Sequence, residues 1–268
     1  MSRVANAVDA KKQMKILLSN DDGYFCEGLL RLAAALSRCH DVRISAPSRE
    51  RSGAGHGLTF NSQLRWSVVN EGELRLPDGT PVRVPCNSVD GTPADAVKFA
   101  IEHIYRDEKF DMVISGINTV LNVGSDVIYS GTFGAAEEGT VLGVPSVAVS
   151  VDASKGSGYD TAVRFVTDNL NNLRALSRPL VTLNVNIPAD EKIAGIICAP
   201  LGMRRYKDWY VPEAEGFRLT GYPLDTSKER EITDCKMSDS GYITVTPVKV
   251  LATDEDGLKK IKQTEWLL

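Results

Sequence analysis

The sequence predicts an α/β protein built on a doubly wound, mostly parallel, Rossmann-like sheet. Three observations predict it. Apolar runs of strand length recur at Met14–Ser19, Val42–Ala46, Phe110–Gly116, Val144–Val151 and Leu180–Val185, and continuous apolar runs mark strands buried on both faces. Segments with apolar residues at helical spacing fall between them, notably Phe25–Cys39, Thr132–Leu142 and Tyr159–Leu176. The two kinds of segment alternate, the pattern of parallel βαβ units with right-handed crossovers.

Residues 1–13 are polar and are expected to be loose. Met14–Ser19 (MKILLS) is the first strand, broken by Asn20-Asp21-Asp22-Gly23. Leu29, Leu30, Leu32, Ala33, Ala35 and Leu36 share one helical face, and Val42–Ala46 is the second strand. Pro47–Gly57 is a polar, Gly-rich loop. A β-rich excursion follows at Leu64–Val69, Leu74–Leu76 and Val82–Val84, with Pro77-Asp78-Gly79 as a hairpin signal between the last two. Thr92-Pro93 opens a helix with Pro at its first position, reaching about Tyr105. After the Phe110–Gly116 strand, Ile117–Gly131 is a long loop rich in Asn, Gly and Ser.

Beyond Pro188 the pattern changes. Ile193–Cys198 and Tyr242–Val250 are β-type, and Leu258–Lys262 is a last helical turn or two. The division is an α/β core over residues 14–188 and a β-rich C-terminal arm over residues 189–268 of the same domain. The Gly202–Ser240 segment is long for a structureless connection and carries Tyr206, Trp209, Tyr210 and Phe217. An arm reaching a second subunit explains both features, so at least a dimer is expected.

Composition narrows the classes. The 268 residues are 43% hydrophobic and 25% charged, and 31 Lys and Arg against 35 Asp and Glu leave a net charge of −4. That is a globular composition, with no basic excess to suggest a nucleic-acid partner. No run approaches the 18 apolar residues of a membrane span, and MSRVANAVDAKKQ lacks the apolar centre of a signal peptide. Cys26, Cys39, Cys86, Cys198 and Cys235 are odd in number and form no CxxC pair; scattered thiols suit a reduced, cytoplasmic setting.

Ligands of open parallel sheets bind beyond the carboxyl ends of the strands. After the first strand, Asp21 and Asp22 put two carboxylates side by side. A hard divalent cation such as Mg²⁺ or Mn²⁺ would offset their repulsion; the alternative is helix capping, which a single Asp also performs. After the second strand, Ser52 is a candidate oxygen for the same cation, or a plain turn serine. Gly53, Gly55 and Gly57 follow it in a GxGxG spacing, which gives the GxGxxG dinucleotide reading little support. After the third, Asn118 stands just past a strand end, Asn122 and Asp126 follow, and Ser130-Gly131-Thr132 opens a helix. Helix N-termini bind anions, although Ser130 or Thr132 could serve simply as an N-cap. Of the three histidines only His56 lies in such a loop, as a candidate acid or base, while His40 and His103 read as structural. GxSxG, HExxH, GxxxxGK[ST] and DxDx[TV] motifs are absent, which removes the commonest hydrolase, metalloprotease and P-loop readings.

These residues resemble the survival protein E (SurE) family of metal-dependent 5′-nucleotidases. The likeness runs through ILLSNDDG (16–23), RSGAGHGLT (51–59), NSVDGTPADAV (87–97), the central SGIN…DVIYSGTFGAAEEG (115–139), LNVNIP (183–188) and TD…GYITVTP (233–247). It implies one divalent cation per subunit held by Asp21, Asp22, Ser52 and Asn118. It also implies a substrate phosphate held by Ser130, Gly131 and Thr132, with Asn122 close to it, and catalytic parts for Asp21 and Asn122. The implied activity is hydrolysis of nucleoside 5′-monophosphates, with looser action on other phosphomonoesters. Dimers or tetramers with exchanged C-terminal arms are implied as well. The chain departs from the family at Val120, where a Gly is usual two residues after the metal-binding Asn, and at Gly55 and Gly57, where serines are frequent. No proposed ligand is lost, but the Val120 exchange puts loop geometry near the metal in question.

Monoester hydrolysis needs mostly electrostatic help. A cation on the Asp pair and donors at Ser130–Thr132 would supply it. The attacking group is water or a carboxylate such as Asp21, and water is favoured because the metal needs that carboxylate. The rival class is a non-catalytic or dinucleotide-dependent protein on the same sheet. Against it, the paired carboxylates would repel a pyrophosphate in the absence of a metal.

Overall fold

A computed structural model describes residues 13–70, 72–154, 158–189, 193–225 and 232–262; residues 1–12, expected to be loose, lie outside them. The core is a nine-stranded sheet in the order β3-β4-β2-β1-β5-β6-β7-β11-β8. Its first members are β1 (Lys15–Ser19), β2 (Asp41–Pro47), β3 (Arg65–Val68) and β4 (Cys86–Asp90). Then come β5 (Met112–Asn118), β6 (Ser146–Val151), β7 (Val181–Ile187), β8 (Gly195–Cys198) and β11 (Tyr242–Lys249). Strands β4, β2, β1, β5, β6 and β7 run parallel. Strand β3 pairs antiparallel to β4 and β11 antiparallel to β7, and β8 runs parallel to β11. The chain winds from β1 outward through β2 and β4, then restarts at β5 on the other side of β1. The gap between the ends of β1 and β5 is therefore the switch point, where the crossovers diverge and leave a crevice.

Side-chain alternation along the strands sets the two layers. Ile16 and Leu18 of β1 face one cluster, which holds Leu29, Leu32 and Leu36 of α1 (Glu27–Leu36) and Phe165, Leu170 and Leu173 of α4 (Tyr159–Leu176). Leu17 faces the other way, against Val97 of α2 (Pro93–Phe99) and Ala135 of α3 (Gly131–Val141). Each fully buried leucine contributes about 2 kcal/mol, and a period of two distributes them to both faces. Helix α3 (GTFGAAEEGTV) is small-residued because it is sandwiched: a Cβ on Gly139 would lie 2.5 Å from Ser146 Oγ, and one on Gly134 2.4 Å from the Gly55 carbonyl. The second contact brings the Gly-rich loop onto the first turns of the helix.

Several expectations shift. The runs at Leu74–Leu76 and Val82–Val84 turn at Gly79 as read, but only an isolated bridge, Arg75 to Pro81, joins them. Pro81 and Pro85 cannot donate to a ladder. Strand β4 (CNSVD), with little apolar character, was not expected. The helix read to Tyr105 ends as α2 at Phe99 and continues as a π-turn through Ile104. The long loop after β5 contains a 3₁₀ turn at Gly124–Ile128. After residue 188, β8 and β11 extend the main sheet. Between them stand the two-stranded hairpin β9–β10 (Tyr206–Glu213, Gly216–Pro223) and the short helix α5 (Asp234–Asp239). A last helix, α6, covers Glu255–Lys262.

Candidate active site

The loop after β1 is held by Asn20. This buried side chain donates from Nδ2 to the Gly23 carbonyl at 3.0 Å and accepts the Gly23 N–H at 3.2 Å. Gly23 has φ +106°, a conformation that excludes most side chains. The turn leaves Asp21 and Asp22 at the strand end. The Asp21 carbonyl accepts the Arg51 N–H at 2.7 Å, which ties the loop after β2 to the loop after β1. In that second loop the Ser52 hydroxyl donates to Glu50 Oε1 at 2.6 Å.

The ladder between β5 and β6 slips between Ser115 and Asn118. Gly116 sits at φ +127° in this irregularity, where a Cβ would lie 2.3 Å from the Val149 carbonyl. Such slips re-aim the residues that follow. Here Asn118 follows, its Nδ2 donating to the Val120 carbonyl at 2.6 Å, which leaves Oδ1 for another partner. Val120 itself, at the family's usual Gly position, takes part through its backbone while its side chain is exposed. Ser130 caps α3, its Oγ accepting the Phe133 N–H at 2.9 Å.

These loops enclose a cavity of about 450 Å³ lined by Asp21, Asp22, Ser52, Asn118, Asn122 and Ser130 together with Glu50, Asp126, Tyr129 and Tyr206. Six of the eight residues singled out from the sequence thus border one space. Gly131 and Thr132 lie behind it. The Thr132 hydroxyl donates to Asp21 Oδ1 and its N–H also points at that carboxylate, while Gly131 lets α3 close on Asp21, whose Cβ would be 2.8 Å from an added Cβ. His56 does not line the cavity: its ring nitrogens lie 2.8 Å from Glu137 Oε2 and 2.7 Å from Glu138 Oε2. Asp126, named in its loop from the sequence, also borders the cavity, whereas Glu50 and Tyr206 were missed. Glu50 was hidden in a run of charges, and Tyr206 reaches the cavity only because its hydroxyl donates to Asp126 Oδ2 at 2.9 Å.

The electrostatics of the paired carboxylates follow from their burial and their closeness. Burial, followed for Asp22 by the neighbouring Asp21 charge, raises both carboxyls, and Asp22 rises to about 6. Hydrogen bonds from Thr132 oppose the rise at Asp21, and Glu50 adds to it at both. A cation beside a buried, mutually repelling carboxylate pair favours its doubly ionised form. No group of three His, Cys, Asp or Glu gathers as a metal cluster among the described residues. The oxygen set of two carboxylates, an amide and a hydroxyl nonetheless suits a hard cation that keeps several waters.

Fold and cavity together define the class: a doubly wound α/β protein with an acidic, oxygen-lined crevice at the switch point of its sheet. The family model for survival protein SurE matches residues 16–208. The 5′-nucleotidase SurE of Alkaliphilus metalliredigens is 35% identical over 257 residues, covering 93% of this chain and 98% of that protein. That of Petrotoga mobilis is 37% identical over 261 residues, covering 95% and 99%. The crystal structure of the SurE protein from Aquifex aeolicus superposes with a TM-score of 0.76 at 33% identity, covering 93% of this chain and 98% of that one. The chain belongs to the survival protein SurE family.

Proposed function

We propose that this protein is a metal-dependent 5′-nucleotidase that hydrolyses nucleoside 5′-monophosphates to nucleoside and phosphate, with activity on other phosphomonoesters. The names of its relatives support the activity. The observation that carries the reading is that the Asp21–Asp22 pair and the capped start of α3 at Ser130 border one cavity.

In this reading Asp21, Asp22, Ser52 and Asn118 hold one Mg²⁺ or Mn²⁺ per subunit. When bound, the cation supplies the positive charge that draws electrons from the phosphoryl group. The chain's own residues do the rest. Ser130, whose oxygen is occupied by the Phe133 N–H, keeps its hydroxyl proton for a phosphoryl oxygen. Gly131 lets α3 close on Asp21, and the backbone at the helix start, where the dipole favours negative charge, receives the phosphate. Thr132 acts on the same region through Asp21, which it fixes. Asn122 adds a side-chain amide at the phosphate end. Water attacks phosphorus as the ester P–O bond breaks, and the leaving nucleoside oxygen takes up a proton. Water is favoured over Asp21 as the attacking group because the metal would need that carboxylate.

The finer points belong to the same proposal. Residues 14–188 form the catalytic core and residues 189–268 its arm. The protein acts in the cytoplasm as a dimer or tetramer, with the β9–β10 hairpin reaching a neighbouring subunit. Among the described residues no helix is long and apolar enough to cross a membrane. Release of inorganic phosphate from AMP, assayed with Mn²⁺, with Mg²⁺ and with chelator, tests the activity. Release that is absent with either metal, or undiminished by chelator, overturns it.

A further inference from the structure

Strand β7 reads VTLNVNI and is buried throughout, yet two of its residues are asparagines. A buried amide costs a few kcal/mol unless its hydrogen bonds are made. Asn184 and Asn186, two apart and therefore on one face of the strand, are fully enclosed. Both act on a single residue. Asn184 Nδ2 donates to the Asn122 carbonyl at 2.7 Å, and Asn186 Nδ2 donates to the same oxygen at 3.2 Å. Asn186 Oδ1 accepts the Asn122 N–H at 2.7 Å. Both backbone groups of Asn122 are thus held from the floor of the sheet. Next to Asn186 in the β6–β7 ladder stands Ser150, also fully enclosed, whose Oγ accepts from Asn122 Nδ2 at 3.0 Å.

Stability alone is a poor reason for this arrangement. Asn184 Oδ1 is buried with no partner, so the strand carries an unmade hydrogen bond that a leucine would not. The outcome of the four bonds is a fixed Asn122. Both its backbone groups are held, one amide hydrogen is committed to Ser150, and the residue borders the cavity. Asn122 sits within the irregular stretch between β5 and the 3₁₀ turn, where a side chain without such support would sample several rotamers. Displacement of a contacting group by about 1 Å is enough to cost on the order of 100-fold in rate.

We propose that Ser150, Asn184 and Asn186 are positioning residues that clamp Asn122 so that its side-chain amide meets the substrate phosphate. The proposal rests on the nucleotidase reading and deepens it. None of the three touches the cavity; they act through Asn122, and through a second layer of fixed donors that keeps the first in register.

The test uses the full chain with Ser150→Ala, Ser150→Cys and Asn122→Ala, singly and with each Ser150 change combined with Asn122→Ala. kcat and KM for AMP at saturating Mn²⁺ are measured beside Mn²⁺ affinity by calorimetry, and beside the affinity of the Mn²⁺-loaded protein for inorganic phosphate. Expected for Ser150→Ala is a kcat loss of about tenfold or more, weaker phosphate binding, and Mn²⁺ affinity within about twofold of wild type, since no metal-holding residue is altered. Ser150→Cys fills the same space with a poor hydrogen-bonding group, so it loses activity similarly and carries the test if the alanine variant does not fold. In the Asn122→Ala background the Ser150 changes cost nothing further, a non-additivity that a merely structural role would not produce. Single variants within twofold of wild type, or losses that multiply in the Asn122→Ala background, overturn the proposal. If the wild-type protein binds phosphate but releases none from AMP, the nucleotidase reading falls. Phosphate affinity then decides the clamp, and equal affinities in wild type and Ser150→Ala overturn it. A wild-type protein that does neither overturns both.

Discussion

The hydroxyl of Thr132, at the first turn of α3, is bonded to Oδ1 of Asp21, the first carboxylate after β1. One side chain thereby joins the start of α3 to the Asp21–Asp22 pair, the proposed phosphate and metal ends of the cavity. Replacement by valine keeps the shape and removes the donor. Thr132 is fully buried, and a hydrogen bond to a charged acceptor is worth about 1.5–3 kcal/mol. Thr132→Val should therefore lower the melting temperature by several degrees. It should also weaken Mn²⁺ binding about tenfold, because Asp21 loses a group that favours its ionised form. Thr132→Ser should retain both properties. Calorimetric Mn²⁺ titration of the two variants checks this; equal affinities would contradict it.

Asp22→Asn separates a metal site from a helix cap. Asn and Asp cap helices equally well, so a capping role predicts unchanged phosphate release from AMP. A metal role predicts a loss of orders of magnitude at limiting Mn²⁺, partly restored by excess metal. The folded variant working at wild-type rate in limiting metal would end the metal reading. Removal of the repelling charge should also make the metal-free variant no less stable than wild type, as read from thermal melts in chelator.

His56 makes a pH prediction away from the metal. Its bonds to Glu137 and then Glu138 raise its pKa to about 9 against the opposing effect of burial. Glu138, 2% exposed, also accepts Lys98 Nζ at 2.7 Å. In the unfolded chain histidine titrates near 6.5. The folded state therefore holds the extra proton between about 6.5 and 9, and stability from this clamp is full below that window and gone above it. A contribution of about 2 kcal/mol is expected for this partly solvated group. Wild type and His56→Gln should differ in melting temperature at pH 6.5 and converge by pH 10. A gap of the same size at both pH values would show that the charge of His56 is not what matters.

The hairpin supplies an assembly prediction. Trp209, Tyr210, Phe217 and Leu219 are all exposed on β9 and β10, a concentration of apolar surface that monomers rarely leave in water. Light scattering at micromolar concentration should return at least twice the chain mass. Changing Tyr210 and Phe217 together to Ser should lower it towards the monomer without unfolding the nine-stranded sheet. A wild-type monomer would refute the arm.

How much could be read in the residues follows from what they are. Helix α4 matches its expected limits because a long amphipathic period has clear ends. Asp21, Asp22, Ser52, Asn118 and Ser130 stood out because they follow apolar strands whose ends must meet. Strand β4 was invisible, since CNSVD is half polar and takes its register from β2. Asn20 was equally invisible as a loop brace, and Asn184 and Asn186 appeared only within the family's LNVNIP motif. A residue whose work is to hold another residue leaves no local pattern. The hairpin expected at Leu74–Val84 kept its turn and lost its ladder, because prolines flank the second run.

Asp21, Ser52, Asn118 and Ser130 reach their cavity from three separate stretches of chain, those at the ends of β1, β2 and β5, bridged by crossovers and by an excursion that returns to the sheet edge. No fragment shorter than the β1–α3 span contains the ensemble. Such non-local contacts are formed only after loops of high closure entropy have been closed. If these residues hold the proposed cation, affinity for it arises late in folding, when β1 and β5 are already side by side. Bound metal would then act on the unfolding rate more than on the folding rate, as a kinetic lock on the folded protein.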